Sequence, residues 1–187
     1  MSKFPDLPKR GIFAIDPSLT GLAVVYMTET GQYDYAELTS KPIKTLEGRL
    51  KRYNTLASRV VDLLKMTCPQ LCLIEGYSFA SKGASVVTLG EFGGVLRNSI
   101  VGIADVTVEV PPTVLKKFVT GKGNCGKLEI VTSLSVKYGI EFKTDNHADA
   151  FGLALIGKAV LGFTELTNKH QRDTVDIIRK LITQETA

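Results

Sequence analysis

Residues 11–21 read Gly-Ile-Phe-Ala-Ile-Asp-Pro-Ser-Leu-Thr-Gly, an apolar run that ends on a carboxylate and then turns. Ile12–Ile15 shows no polar alternation, which suits a central strand covered on both faces. Pro17 to Gly21 supply the turn that closes it. The same grammar recurs at residues 71–76, Leu-Cys-Leu-Ile-Glu-Gly, where Glu75 stands as Asp16 stands in the first run. Taken singly, Asp16 also fits an Asx turn onto Ser18, and Glu75 fits a surface ion pair at a strand end.

Working outward, Leu22–Met27 and Tyr33–Leu38 read as two further strands around a turn at Gly31, so the chain opens with an antiparallel meander. Leu46 to Met66 has helical apolar spacing that Cys68-Pro69 ends. Gly83–Ile103 is apolar enough for a buried helix. Gly90, Gly93 and Gly94 each cost that helix about 1 kcal/mol relative to alanine, so they imply close packing against the sheet or a second copy. Val106–Val110 reads as a strand, followed by helices from Val114 with Thr113 as cap, over Lys127–Tyr138, over Ala148–Leu161 capped by Thr144 or Asp145, and over Asp173–Ile182. The order predicts an α/β domain, one mixed sheet with helices on its faces. Residues 1–10 read as a loose tail, 11–162 as the domain and 163–187 as a C-terminal helical extension.

Composition excludes several classes. No apolar run approaches the roughly 20 residues that span a bilayer, and no apolar leader follows Met1, so no membrane association and a cytosolic location are expected. Cys68, Cys72 and Cys125 form no even framework, two distant histidines complete no zinc site, and all three cysteines are expected as buried thiols. Gly121 to Lys127 matches two nucleotide fingerprints, but Leu128 stands where a P-loop needs Ser or Thr, and a helix rather than a strand precedes it.

The acids carry the chemistry. A carboxylate buried at a strand end is costly, and a second one about 4 Å away adds about 4 kcal/mol of repulsion at an effective dielectric of 20. A divalent cation removes both penalties. Asp145 and Asp149, at i and i+4, share a helix face that Asn146 borders, and Asp149 sits among small and apolar neighbours; Asp145 also fits a plain N-cap role. All-oxygen donors favour Mg²⁺ or Mn²⁺, and two such ions roughly 3.5–4 Å apart suit phosphodiester hydrolysis. Between Pro111 and Leu128 lie four lysines and no acid: Lys116, Lys117, Lys122 and Lys127, suited to a DNA backbone.

With these residues assembled, the chain resembles the RuvC-type Holliday junction resolvases of the ribonuclease-H-like superfamily over about residues 11–162. The likeness rests on Ile15 to Gly21, Ile74-Glu75, Lys116 through Lys127, and Asp145-Asn146-His147-Ala148-Asp149. It implies a five-stranded ribonuclease-H-like sheet and a homodimer that cuts four-way junctions and other branched DNA by paired incision. Metal-activated water would leave a 5′-phosphate and a 3′-hydroxyl. Asp16, Glu75 and Asp149 carry over directly, and Lys116 and Lys127 match two functional lysines. The fourth acid of the pattern falls on Asn146, so either Asp145 or Asn146 is the remaining ligand; His147 points away from the metal face. The aromatic wedge of the family falls near Tyr77 or Phe79, with Ser78 at the ungapped position. Compact length and a loose fit to the cellular form point to a phage or mobile-element branch. Two other readings stand beside the resolvase: a non-catalytic junction-binding protein of this fold, and a nuclease without junction preference.

Overall fold

The computed structural model describes residues 4–77 and 84–185. Its strands are β1 (Ile12–Asp16), β2 (Leu22–Met27), β3 (Tyr33–Leu38), β4 (Leu71–Glu75) and β5 (Val106–Val110). Its helices are α1 (Leu46–Thr67), α2 (Ala84–Ile100), α3 (Pro112–Thr120), α4 (Lys127–Tyr138), α5 (Asp145–Val160) and α6 (Lys169–Glu185). The five strands form one sheet in the order β3-β2-β1-β4-β5. β1, β2 and β3 pair antiparallel, whereas β4 runs parallel to both β1 and β5.

The unbroken apolar run of β1 is explained by what covers it. Ile12 and Ala14 join a core with α3, α4, α5 and α6, while Phe13 and Ile15 join a second core with α1 and α2 on the opposite face. β4 divides the same way, Leu71 and Leu73 to the first core, Cys72 and Ile74 to the second. Side-chain alternation with period two therefore sends Asp16 and Glu75 to the α5 side of the sheet. Because Ile15 pairs with Ile74, the two acids end adjacent parallel strands side by side.

α5 is buried on nearly every face from His147 to Gly157. It lies close on the sheet because Gly157 has no side chain: a Cβ there would meet Ile12 Cγ2 at 2.5 Å and Leu73 Cδ1 at 2.6 Å. That close approach brings Asp149 down onto the strand ends.

Several expectations need correction. Residues 4–10 are docked rather than loose: Phe4 is buried against Phe13 and Tyr26, and Tyr26 donates from its hydroxyl to Pro8 O at 2.5 Å while accepting from Gly11 N–H at 2.8 Å. Cys68 is exposed, because it ends α1 in the left-handed conformation (φ 44°); only Cys72 and Cys125 are buried. α3 begins at Pro112 with no side-chain cap, so Thr113 lies inside it; a proline at the first position loses no helical bond. Thr144 caps α5 by accepting from His147 N–H at 3.2 Å, which places Asp145 inside the helix.

α6 begins four residues earlier than its apolar spacing predicts. Its first turns bury polar residues that an apolar pattern does not count: Gln171 donates to Phe118 O, and Thr174 donates back to the carbonyls of His170 and Gln171. With Val175 and Ile178 in the α5-side core, the C-terminal extension packs into the same body as the rest of the chain. Among the described residues no helix is long and apolar enough to cross a membrane.

Candidate metal centre

Three elements converge on one spot. Carboxylate oxygens of Asp16, Glu75 and Asp149 all lie within 4.8 Å of one another. Asp16 and Asp149 are each only 7% exposed, and Glu75 is partly buried. The competing explanations for the two strand-end acids fail. Ser18 N–H bonds the backbone carbonyl of Asp16 rather than its side chain, so no Asx turn consumes the carboxylate. Among the described residues no ion pair reaches Glu75; Arg97 donates to its backbone carbonyl instead, at 2.9 Å.

The electrostatics record this crowding. Burial first, then the charges of Glu75 and Asp149, holds the Asp16 carboxyl well above its ordinary range. Burial, then Asp149, pushes Glu75 up to about 7, and burial pushes Asp149 up to about 6. Lys127 and Lys116 offset only part of this for Glu75 and Asp149. Three hard oxygen donors converging with a deficit of positive charge fit a divalent cation of the Mg²⁺ or Mn²⁺ type. Asp16, Glu75 and Asp149 would hold it.

Asp145 stands apart from the cluster. Its carboxylate meets Lys127 Nζ at 2.5 Å, and that bond holds its pKa below the usual range. Asn146 lines the cavity beside the acids, with its Nδ2 donating to Gly21 O at 2.8 Å, so the amide is pinned and its oxygen is oriented. The two candidates for a fourth ligand therefore differ in availability. We expect Asp145→Asn to lower single-turnover junction cleavage by no more than about tenfold and Asn146→Leu by more, about one and two 1.4 kcal/mol steps respectively. The reverse order would make Asp145 the fourth ligand, with Lys127 its removable partner.

The basic segment divides. Lys116 and Lys127 line a cavity of about 580 Å³ with the three acids. Lys117 lies 3.9 Å from Asp173 of α6, and Lys122 sits on the exposed turn after α3; neither lines that cavity. Tyr77 does line it, but its ring is held beneath the Arg97 guanidinium (4.2 Å to the centroid) and over Gly93. Phe79 lies outside the described residues, as does Ser78.

Sequence reading missed two arginines. Arg97 bonds Glu109 at 2.5 Å, Gly93 O at 3.2 Å and Glu75 O at 2.9 Å, clamping the end of β4 to α2 and β5. Arg52 lines the cavity from α1. Each sits at an ordinary amphipathic helix position, and nothing in the local spacing separates them from solvent-facing arginines. His147, by contrast, is where helix geometry puts it. It stacks on Tyr35 at 3.7 Å on the far side of α5, buried and pushed down to about 4 by desolvation and Lys143.

A mixed sheet in this order, with carboxylates at the ends of its two central parallel strands and on the helix covering them, defines a ribonuclease-H-like protein with an acidic centre. A family profile described as crossover junction endodeoxyribonuclease RuvC matches residues 12–157, and the chain belongs to that family. Relatives are distant but nearly full length. RuvC of Synechococcus sp. (strain WH7803) is 27% identical over 152 residues, 78% of this chain and 96% of the relative. RuvC of Chlamydia felis (strain Fe/C-56) is 28% identical over 156 residues, 77% and 89% of the two chains. Thermus thermophilus RuvC in complex with Holliday junction substrate shares the fold with a TM-score of 0.66 at 18% identity, over 81% of this chain and 96% of that one. The yeast mitochondrial Holliday junction resolvase Ydc2 does so with a TM-score of 0.55 at 11% identity, over 97% and 88%.

Proposed function

We propose that this chain is a divalent-metal-dependent endonuclease that resolves four-way (Holliday) junctions and related branched DNA, acting as a homodimer that cuts two strands. The observation that carries the reading is the convergence of Asp16, Glu75 and Asp149 within 4.8 Å at the floor of a lysine-flanked cavity. On this reading water adds to phosphorus and the P–O3′ bond breaks, leaving a 5′-phosphate and a 3′-hydroxyl. One or two bound Mg²⁺ ions, with Mn²⁺ able to substitute, would supply activation of that water and charge stabilisation at the departing oxygen.

The residues of the chain do the rest. Asp16, Glu75 and Asp149 would hold the ions, with Asn146 or Asp145 completing the set. Lys116 and Lys127 approach the scissile phosphate from the cavity wall and stabilise its developing negative charge. Arg97 fixes the backbone of Glu75, so that acid is presented in one position. Lys122, exposed on its turn, neutralises phosphates further along the arm, and Lys117 joins it when it leaves Asp173.

Incubation of the protein with a four-way junction, a fork and a linear duplex, in Mg²⁺ or in EDTA, tests the reading. Cutting of the junction first and of the fork more slowly, with the linear duplex left intact and no cutting in EDTA, is expected. Tight junction binding without cutting in either Mg²⁺ or Mn²⁺ would select the non-catalytic binding protein, and equal cutting of the linear duplex would remove junction preference.

The homodimer rests on α2. Gly90 and Gly94 face open space, where an added Cβ would meet nothing within 4 Å, and Val87 beside them is 67% exposed. A flat, small-residue apolar face suits a second copy of the same helix. Sedimentation at micromolar concentration should give a dimer for the wild type and a monomer for Gly94→Leu. A wild-type monomer would overturn the homodimer, and an unaffected Gly94→Leu dimer would move its interface elsewhere.

A further inference from the structure

The cavity holds a cation that the acids do not account for. Arg52 is only 8% exposed, and it lines the same cavity as Asp16, Glu75 and Asp149. Its Nε donates to Ser40 Oγ at 2.8 Å, and its Nη2 donates to Leu19 O at 2.6 Å and Ser40 O at 3.2 Å. All three acceptors are neutral. Among the described residues no carboxylate pairs with this guanidinium, and no acceptor takes the two N–H groups of Nη1.

A buried charge with no counter-charge is costly to the fold, and an apolar side chain of similar volume often serves stability as well or better. An arginine in this position therefore points to an anion that arrives from outside. The three bonds already made hold the planar guanidinium in one orientation, and its Nη1 keeps two N–H donors free for an incoming phosphate oxygen. Ser18, Thr20 and Pro42 line the cavity with it, and Leu19 O, bonded by Nη2, places the guanidinium beside the Ser18–Thr20 turn.

We propose that Arg52 forms a second phosphate subsite, gripping a DNA backbone phosphate near the scissile one on the Ser18–Thr20 side of the cleft. The proposal rests on the nuclease reading above. It makes Arg52 a binding residue that sets where the strand lies across the acids, and it adds a third cation to the cavity that Lys116 and Lys127 line.

Junction affinity measured in EDTA across a salt series tests it with Arg52→Met and Arg52→Lys. Each phosphate neutralised contributes about 0.9 to the slope of log affinity against log salt. Arg52→Met is expected to fold, to bind about tenfold more weakly and to lose about 0.9 from that slope, whereas Arg52→Lys keeps the slope. A wild-type slope in folded Arg52→Met would overturn the subsite and leave the nuclease reading standing. Should Arg52→Met not fold, a scan of neutral methylphosphonate linkages around the cut decides with Arg52→Lys. A wild-type loss confined to one linkage, and smaller there for Arg52→Lys, supports the subsite; equal losses in both proteins at every linkage overturn it. A wild-type protein that binds no branched DNA at all would instead overturn the nuclease reading itself.

Discussion

Asp16→Asn should abolish junction cleavage in Mg²⁺, by a thousandfold or more in single turnover, while junction binding in EDTA stays within a few fold of wild type. Asparagine keeps the shape and one oxygen of the side chain but removes the charge that a cation needs at the centre of the cluster. Charge stabilisation by a catalytic metal amounts to several kcal/mol, and each 1.36 kcal/mol is a factor of ten in rate. Asp16 offers a carboxylate oxygen within 4.8 Å of those of both other acids, so its loss removes one of the three charged donors of the cluster. DNA binding, which the proposed function assigns to the lysines, should persist or improve, because a negative charge has left the cleft floor. An Asp16→Asn protein that cuts as fast as wild type would show that the three acids do not form the reaction centre.

The same crowding has an opposite consequence for stability. Without metal, Asp149→Asn should melt at a higher temperature than wild type above pH 7 and at nearly the same temperature at pH 4. Burial raises the Asp149 carboxyl from 3.8 to about 6, so the folded state holds its proton more tightly than the unfolded state. The folded state is favoured while that proton is on, fully so below 3.8, and this contribution is lost as pH rises through about 6. About two pH units at 1.36 kcal/mol each gives roughly 3 kcal/mol, or several degrees for a chain of this size. His147 works in the other direction: its depressed pKa of about 4 stabilises the fold above pH 6.5 and destabilises it as pH falls. Both proteins carry His147, so the difference between their melting curves isolates the carboxylate. Mg²⁺ should raise the wild-type melting temperature and narrow or reverse the gap, since its ion replaces the missing protons. A gap independent of pH would mean that burial does not raise the Asp149 carboxyl in the folded protein.

Much of this was legible in the chain because the decisive signals are local. Asp16 and Glu75 each follow an unbroken apolar strand, and period-two alternation is enough to send both to one face of the sheet. Asp149 declares itself by being an acid among alanines on a helix that is otherwise buried. What stayed hidden depends on contacts between distant segments. The partner of Asp145 is Lys127, eighteen residues earlier, and only the packing of α4 against α5 brings them together. Arg52 and Arg97 look like any polar residue of an amphipathic helix until the strand ends they bind are in place. The division of the lysines, two into the cavity and two away from it, follows from the way α6 draws Lys117 toward Asp173, a contact across more than fifty residues.

Arg97 holds Gly93 of α2, Glu109 of β5 and the carbonyl of Glu75 in one hand. Mechanically, α2 and the end of β4 are thereby one lever. A push on the outer, glycine-bearing side of α2 cannot be absorbed as a slide of the helix over the sheet, because the guanidinium would drag the Glu75 backbone with it. Whatever seats itself against that face is in touch, through a single side chain, with the alignment of the acids inside.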